Sequence, residues 1–187
     1  MVIVSTPINT ALTWHSQPQS EPLVNDWLFN QDSLTQRLIQ LSHNNFSVLP
    51  LNEGWQRLRA DECAALGCPE QSSGWVREVF LRGKQQPWVY ARSVASQASL
   101  QESDFDLACL GTRSLGELLF SDQAFERGVI EICQLTPKIL PDTLLPFTSD
   151  ASTLWARRSC FSKEPLKILV AEAFLPAFWQ HLATHKH

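Results

Sequence analysis

The sequence predicts one α+β domain built around an antiparallel sheet. Its 187 residues, 44% of them hydrophobic, suffice for one well-buried core and are too few for two domains of ordinary size. The strand-like runs come in pairs joined by turn residues, and the helical patterns sit early and in the middle of the chain. Alternating β-α units, the mark of a parallel sheet, are absent.

Residues 1–20 are polar and aperiodic and read as a loosely held extension; residues 21–176 form the domain and 177–187 a tail. From Pro22 to Ser42 the pattern is a helical hairpin. Leu23, Trp27 and Leu28 suit a first helix, and Asp32 or Ser33 caps a second carrying Leu34, Leu38, Ile39 and Leu41. Phe46–Leu51 is a strand that Pro50 assigns to an edge or a strand end. Ala60–Leu66 is able to form a helical turn, and Gly67 to Gly74 a loop. Trp75–Leu81 and Trp88–Val94 form a β-hairpin across Arg82–Pro87. Leu100–Leu110 and Ser114–Phe120 look helical, separated by Gly111. Val129–Leu135 is a strand, followed by a Pro-rich loop. Leu154–Phe161 and Leu166–Leu175 make a closing hairpin around Ser162–Pro165.

Several function classes are disfavoured at once. A net charge of -4 leaves no positive field for a phosphate backbone, so nucleic acid is not an expected partner. The N-terminus lacks the basic and apolar regions of a signal peptide, and no run is long enough for a membrane span, which predicts a cytoplasmic protein. Five cysteines without paired C-x-x-C spacing read as buried reduced thiols. His181, His185 and His187 read as a polar tail before a metal site. No Gly-rich phosphate loop, H-E-x-x-H or G-x-S-x-G motif occurs.

The informative residues are charges inside apolar strands, because a buried charge needs a partner or a ligand. Arg77 shares a strand face with Trp75, Val79 and Leu81. If Leu81 pairs with Trp88, Arg77 stands opposite Arg92, and two facing cations call for an anion such as a carboxylate substrate. The competing reading neutralises them with Glu78 or Glu131. Glu172 lies on a face with Ile168, Val170 and Phe174. If Phe161 pairs with Leu166, Arg157 falls diagonally from Glu172 and supplies a structural ion pair.

An ordered set of segments then resembles the chorismate lyase family: Asp26-Trp-Leu, Asp32-Ser-Leu-Thr-Gln-Arg-Leu38, Trp75–Leu81, Pro87–Val94, Leu115-Gly-Glu-Leu-Leu-Phe120, Trp155-Ala-Arg-Arg-Ser159 and Ala171–Pro176. The resemblance implies a monomeric six-stranded antiparallel sheet with a ligand buried under helical flaps. It implies a lyase that removes pyruvate from chorismate to leave 4-hydroxybenzoate, with no cofactor and no metal, in ubiquinone biosynthesis. By the same resemblance Arg77 holds the ring carboxylate and Glu172 contacts the opposite end of the ring. Backbone groups at Leu34 and Leu115 complete the pocket, and Arg92 is a supporting cation. Ala91 departs from the glycine that some members carry there. An alternative is a non-catalytic domain sensing aromatic carboxylates, since effector domains of some bacterial transcription regulators resemble this fold.

Overall fold

A computed structural model describes residues 12–105, 107, 110–122, 125–148 and 151–184. The order of elements is α1 (Pro22–Leu28), α2 (Leu34–Leu41), β1 (Phe46–Arg57), α3 (Ala60–Leu66), β2 (Ser73–Gly83), β3 (Gln86–Ser96), α4 (Gln97–Gln101), α5 (Leu115–Ser121), β4 (Glu126–Arg127), β5 (Glu131–Leu135), α6 (Leu145–Thr148), β6 (Leu154–Lys163), β7 (Leu166–Phe174) and α7 (Pro176–Thr184). The strands form one antiparallel sheet in the order β1-β2-β3-β7-β6-β4, with β5 also pairing β6. The α+β expectation holds. The sheet has seven strands where six were expected, because the two-residue β4 precedes Gly128 and carries no apolar alternation to announce it.

Local chemistry sets the helix boundaries. Ser33 and Ser114 cap α2 and α5, accepting hydrogen bonds from the backbone N–H of Gln36 and Glu117. Gly67 ends α3 with φ 70°, a conformation glycine adopts without strain. Where a helix was expected over 100–110, α4 covers Gln97–Gln101, and residues 106, 108 and 109 lie outside the described residues. Pro50 lies in edge strand β1, at a register shift between Pro50 and Asn52.

The register of the β2–β3 hairpin decides the architecture of the site. Lys84 and Gln85 make the turn with φ 49° and 65°, so Gly83 pairs with Gln86 and Arg82 with Pro87. A bulge then inserts Trp88, and Leu81 pairs with Val89 instead of Trp88. Gly83 accommodates the bulge: a Cβ there would lie 2.1 Å from the Trp88 ring. The one-residue slip inverts every later pair, so Arg77 faces Ser93 and Arg92 faces Glu78.

Both sheet faces are covered. One packs against α1, α2 and α7 through Trp27, Leu28, Leu34, Leu38, Val79, Ala91, Phe174 and Phe178, and continues to Leu115 and Leu119 of α5 beside Val170. The other packs against α3 through Cys63, Leu66, Val76, Val94 and Leu169, and against the 135–144 loop. His15 forms a β-bridge with Ile132, and Trp14 lies over the Arg158 guanidinium at 4.4 Å. Phe178 of α7 is fully buried, and His181 stacks on Trp88; His185 and His187 lie outside the described residues. Among the described residues no helix is long and apolar enough to cross a membrane. Cys63, Cys68, Cys133 and Cys160 are free; Cys109 lies outside the described residues.

Candidate active site

Cross-strand pairing lays two rows of side chains on the face beneath α2 and α5. The first runs Arg77, Ser93, Val170, Ser159; the second runs Val79, Ala91, Glu172, Arg157, Ile132. Arg77 and Glu172 are thus two strands and two residues apart, about 12 Å between Cα atoms from ordinary strand spacings. Between them the floor is Ser93, Ala91, Val79 and Val170, all short side chains and all buried. A flat ring with a polar group at each end matches this spacing.

Arg77 is 3% exposed and is held by Nη2 donating to the carbonyls of Gly111 (2.6 Å) and Arg113 (3.0 Å), in the loop leading to α5. Its ion pair is loose, with Glu53 Oε1 3.5 Å from Nε. Arg77 Nε, Glu53 Oε1 and Trp75 Nε1 are all buried without a hydrogen bond among the described residues. Two unused donors two residues apart on one strand face suit an anionic oxygen pair. Burial pulls the Arg77 pKa down, and Glu53 partly opposes this.

Glu172 is directly opposite Arg157, not diagonal to it, because the β6–β7 turn is tight and Lys163 pairs with Leu166. Arg157 Nε donates to Glu172 Oε2 at 2.7 Å, and Nη1 donates to the carbonyls of Trp27 (3.1 Å) and Asn30 (3.2 Å). This fully buried guanidinium therefore ties the catalytic candidate to the turn between α1 and α2. Glu172 Oε1 makes no hydrogen bond among the described residues.

Leu34 and Leu115 are the first residues of α2 and α5, positions whose N–H groups have no partner within the helix. Both side chains are buried. The two helix starts are joined by a 2.6 Å hydrogen bond between Thr35 Oγ1 and Ser114 Oγ, and Gly116 lets them approach: a Cβ there would sit 3.2 Å from Thr35 Oγ1.

Arg92 does not join this group. The bulge at Trp88 turns it to the opposite face, so the expected Arg77–Arg92 pair with a shared anion is corrected. Arg92 donates to Glu62 Oε1 (2.6 Å) and Glu78 Oε1 (2.9 Å), and Tyr90 donates to the same Glu78 oxygen. Burial alone would raise the Glu78 pKa; hydrogen bonds from Tyr90 and Asn52 and the Arg92 charge outweigh it and lower the value. Neutralisation by Glu78, weighed against the anion reading, is what occurs for Arg92. Arg158 is likewise on that face, paired with Glu131 (2.8 Å) and Asp61 (3.3 Å). An open groove along β5, lined by His15, Gln134 and Trp155, has no arginine or lysine in its walls among the described residues.

Sequence reasoning missed strand β4, whose Arg127 Nε donates to Ser159 Oγ on this face (2.9 Å), and the indole donor of Trp75. Nothing in Phe-Glu-Arg-Gly128 distinguishes a strand from a loop, and an aromatic in a strand reads first as core.

Comparison with known proteins identifies the family. Residues 8–184 match the family described as chorismate lyase. A probable chorismate pyruvate-lyase of Pseudomonas syringae pv. syringae (strain B728a) is 58% identical over 157 residues, 84% of this chain and 82% of that protein. A probable chorismate pyruvate-lyase 2 of Pseudomonas entomophila (strain L48) is 53% identical over 180 residues, 94% of each. Among solved structures, a putative transcriptional regulator from Streptomyces coelicolor superposes with TM-score 0.51 at 16% identity over 70% of this chain and 87% of that one. A possible transcriptional regulator YydK from Bacillus subtilis also gives 0.51, at 8% identity over 72% and 59%. At such identities these two share the fold alone. The chain belongs to the chorismate lyase family.

Proposed function

We propose that this protein is a chorismate lyase, converting chorismate to 4-hydroxybenzoate and pyruvate with neither metal nor cofactor. The observation that carries the reading is the buried Arg77–Trp75 donor pair, separated from the Glu172–Arg157 pair by a floor of short side chains. Arg77 and Trp75 take the ring carboxylate by charge-assisted hydrogen bonds. Glu172 meets the far end of the ring, and the first N–H groups of α2 and α5, at Leu34 and Leu115, complete the enclosure. Arg92 supports the sheet from its other face.

The reaction breaks the C3–O bond to the enolpyruvyl group and removes the C4 proton. The ring becomes aromatic, and the departing enolpyruvate gains a proton at its methylene carbon to become pyruvate. No oxidant, reductant or water is consumed. As an ion-paired carboxylate, Glu172 accepts the C4 proton or a hydrogen bond from the 4-hydroxyl, and Arg77 and Arg157 stabilise charge that develops on the ring. The product keeps the carboxylate that Arg77 binds, so release waits for α2 and α5 to part. The protein acts as a cytoplasmic monomer at the first committed step toward ubiquinone. The sensing alternative has only the fold likeness behind it.

The test is to incubate the protein with chorismate alone and measure pyruvate and the aromatic product. Equimolar pyruvate and 4-hydroxybenzoate, abolished in Arg77→Ala, are expected. Chorismate left intact, with 4-hydroxybenzoate still raising the melting temperature, would reduce the protein to a sensor. Full turnover in Glu172→Gln would remove the proton-accepting role.

A further inference from the structure

On the same face, Arg127 forms no ion pair among the described residues. Arg127, in β4, pairs with Phe161 and reaches along β6, its Nε donating to Ser159 Oγ at 2.9 Å. Its Nη1 donates to the carbonyls of Gln31 (3.0 Å) and Asn30 (3.4 Å), and Asn30 also receives Arg157. Two guanidinium groups thus converge on the turn before α2, and Glu172 is spoken for by Arg157. Among the described residues Arg127 makes no ion pair, and its Nη2 makes no hydrogen bond. Burial and the nearby Arg157 pull its pKa down to about 10, with Glu172 opposing, so it remains a cation at neutral pH.

Arg127, which lies over the Phe120 and Phe161 rings and shares the field of Glu172 with Arg157, leaves net positive charge in a partly desolvated place beside the end of the ring site, and a ligand anion would offset it. The substrate has two carboxylates and the aromatic product one. Arg77 accounts for the carboxylate that survives into the product. The carboxylate that leaves is attached through the ether at C3, next to the carbon whose substituent meets Glu172, and Ser159, which receives Arg127, lies two residues along β6 from Arg157, the partner of Glu172 on β7.

We propose that Arg127 is the receptor for the second, departing carboxylate of the substrate, a role that rests on the lyase reading above. Arg127 then discriminates substrate from product, holds the side chain so that the C3–O bond stands over the site, and lets pyruvate leave from the end of the floor remote from Arg77. Its bonds to Asn30 and Gln31 couple that carboxylate to the turn that starts α2.

The experiment compares Arg127→Gln, which keeps a donor for the loop carbonyls and loses the charge, with Arg127→Lys, which keeps the charge. KM and kcat for chorismate, Kd for 4-hydroxybenzoate and the melting temperature are measured on the full chain. A charge-assisted contact predicts a roughly ten- to hundredfold rise in KM for Arg127→Gln and a smaller one for Arg127→Lys. Product Kd should stay within about twofold, since the product lacks the carboxylate Arg127 reads. Equal weakening of substrate and product, or an unchanged KM in Arg127→Gln, overturns the proposal; the former makes Arg127 a loop anchor. If the unmodified protein releases no pyruvate from chorismate, the lyase reading itself fails, which is a different result from either.

Discussion

Replacing Arg92 by alanine tests the register of the sheet and the division of labour between its faces. Arg92 sits between Glu62 and Glu78, with all three side chains no more than 8% exposed. Removing the cation leaves two carboxylates buried near one another with only neutral donors. Breaking one partner out of a buried ionic group costs about 3–5 kcal/mol. In a chain of this size each kcal/mol lowers the melting temperature by about 2–4 °C, so a fall of roughly 6–20 °C is expected. Calorimetry or circular dichroism at pH 7 reads it, and 4-hydroxybenzoate affinity at 15 °C should be unchanged, because Arg77 is on the other face. The pH dependence has a definite sign. Glu78 has its folded pKa lowered below the ordinary value of 4.5, so its contribution is present above that value and is lost as the pH falls through the depressed one. In Arg92→Ala burial without the cation raises the carboxylate pKa, so protonation relieves it as the pH falls toward about 4.5, and the gap between the two proteins begins to narrow above that value. A melting temperature within 2 °C of the parent, together with a lost ligand affinity, would refute the register and return Arg92 to the binding site.

Three further outcomes follow from individual contacts. Gly83→Ala forces a Cβ into the Trp88 ring, 2.1 Å away, and should cost about 1–3 kcal/mol in urea unfolding; a neutral result would mean the bulge is not built around that contact. Thr35→Val breaks the 2.6 Å link between the starts of α2 and α5 at a cost of about 0.5–1.5 kcal/mol, and should speed 4-hydroxybenzoate release in stopped-flow measurements severalfold; unchanged release would separate the latch from product trapping. Burial pushes the Cys133 thiol up to about 12, so mass spectrometry should find it unmodified by iodoacetamide at pH 8 in the native protein and fully modified in denaturant.

The order of helices and hairpins and the placing of the Pro50 strand at an edge or strand end were legible in the chain, as was the presence of Arg77, Arg92 and Glu172 as charges inside apolar strands. Each depends on local pattern: period-two alternation, caps at Ser33 and Ser114, and an ion embedded in an apolar run. The resemblance to chorismate lyases rested on the same segments. Only the tertiary structure decided what each charge faces. Side-chain parity along a strand is absolute, so a single extra residue at Trp88 moved Arg92 off the Arg77 face and onto a pair of glutamates on the other. The tight turn after Lys163 moved Arg157 from a diagonal of Glu172 to a position directly opposite, and the two-residue β4 brought Arg127 beside them across 30 residues of chain. Turn length and bulge placement are settled by packing between distant residues, Gly83 against Trp88 above all, and no window of sequence contains that information.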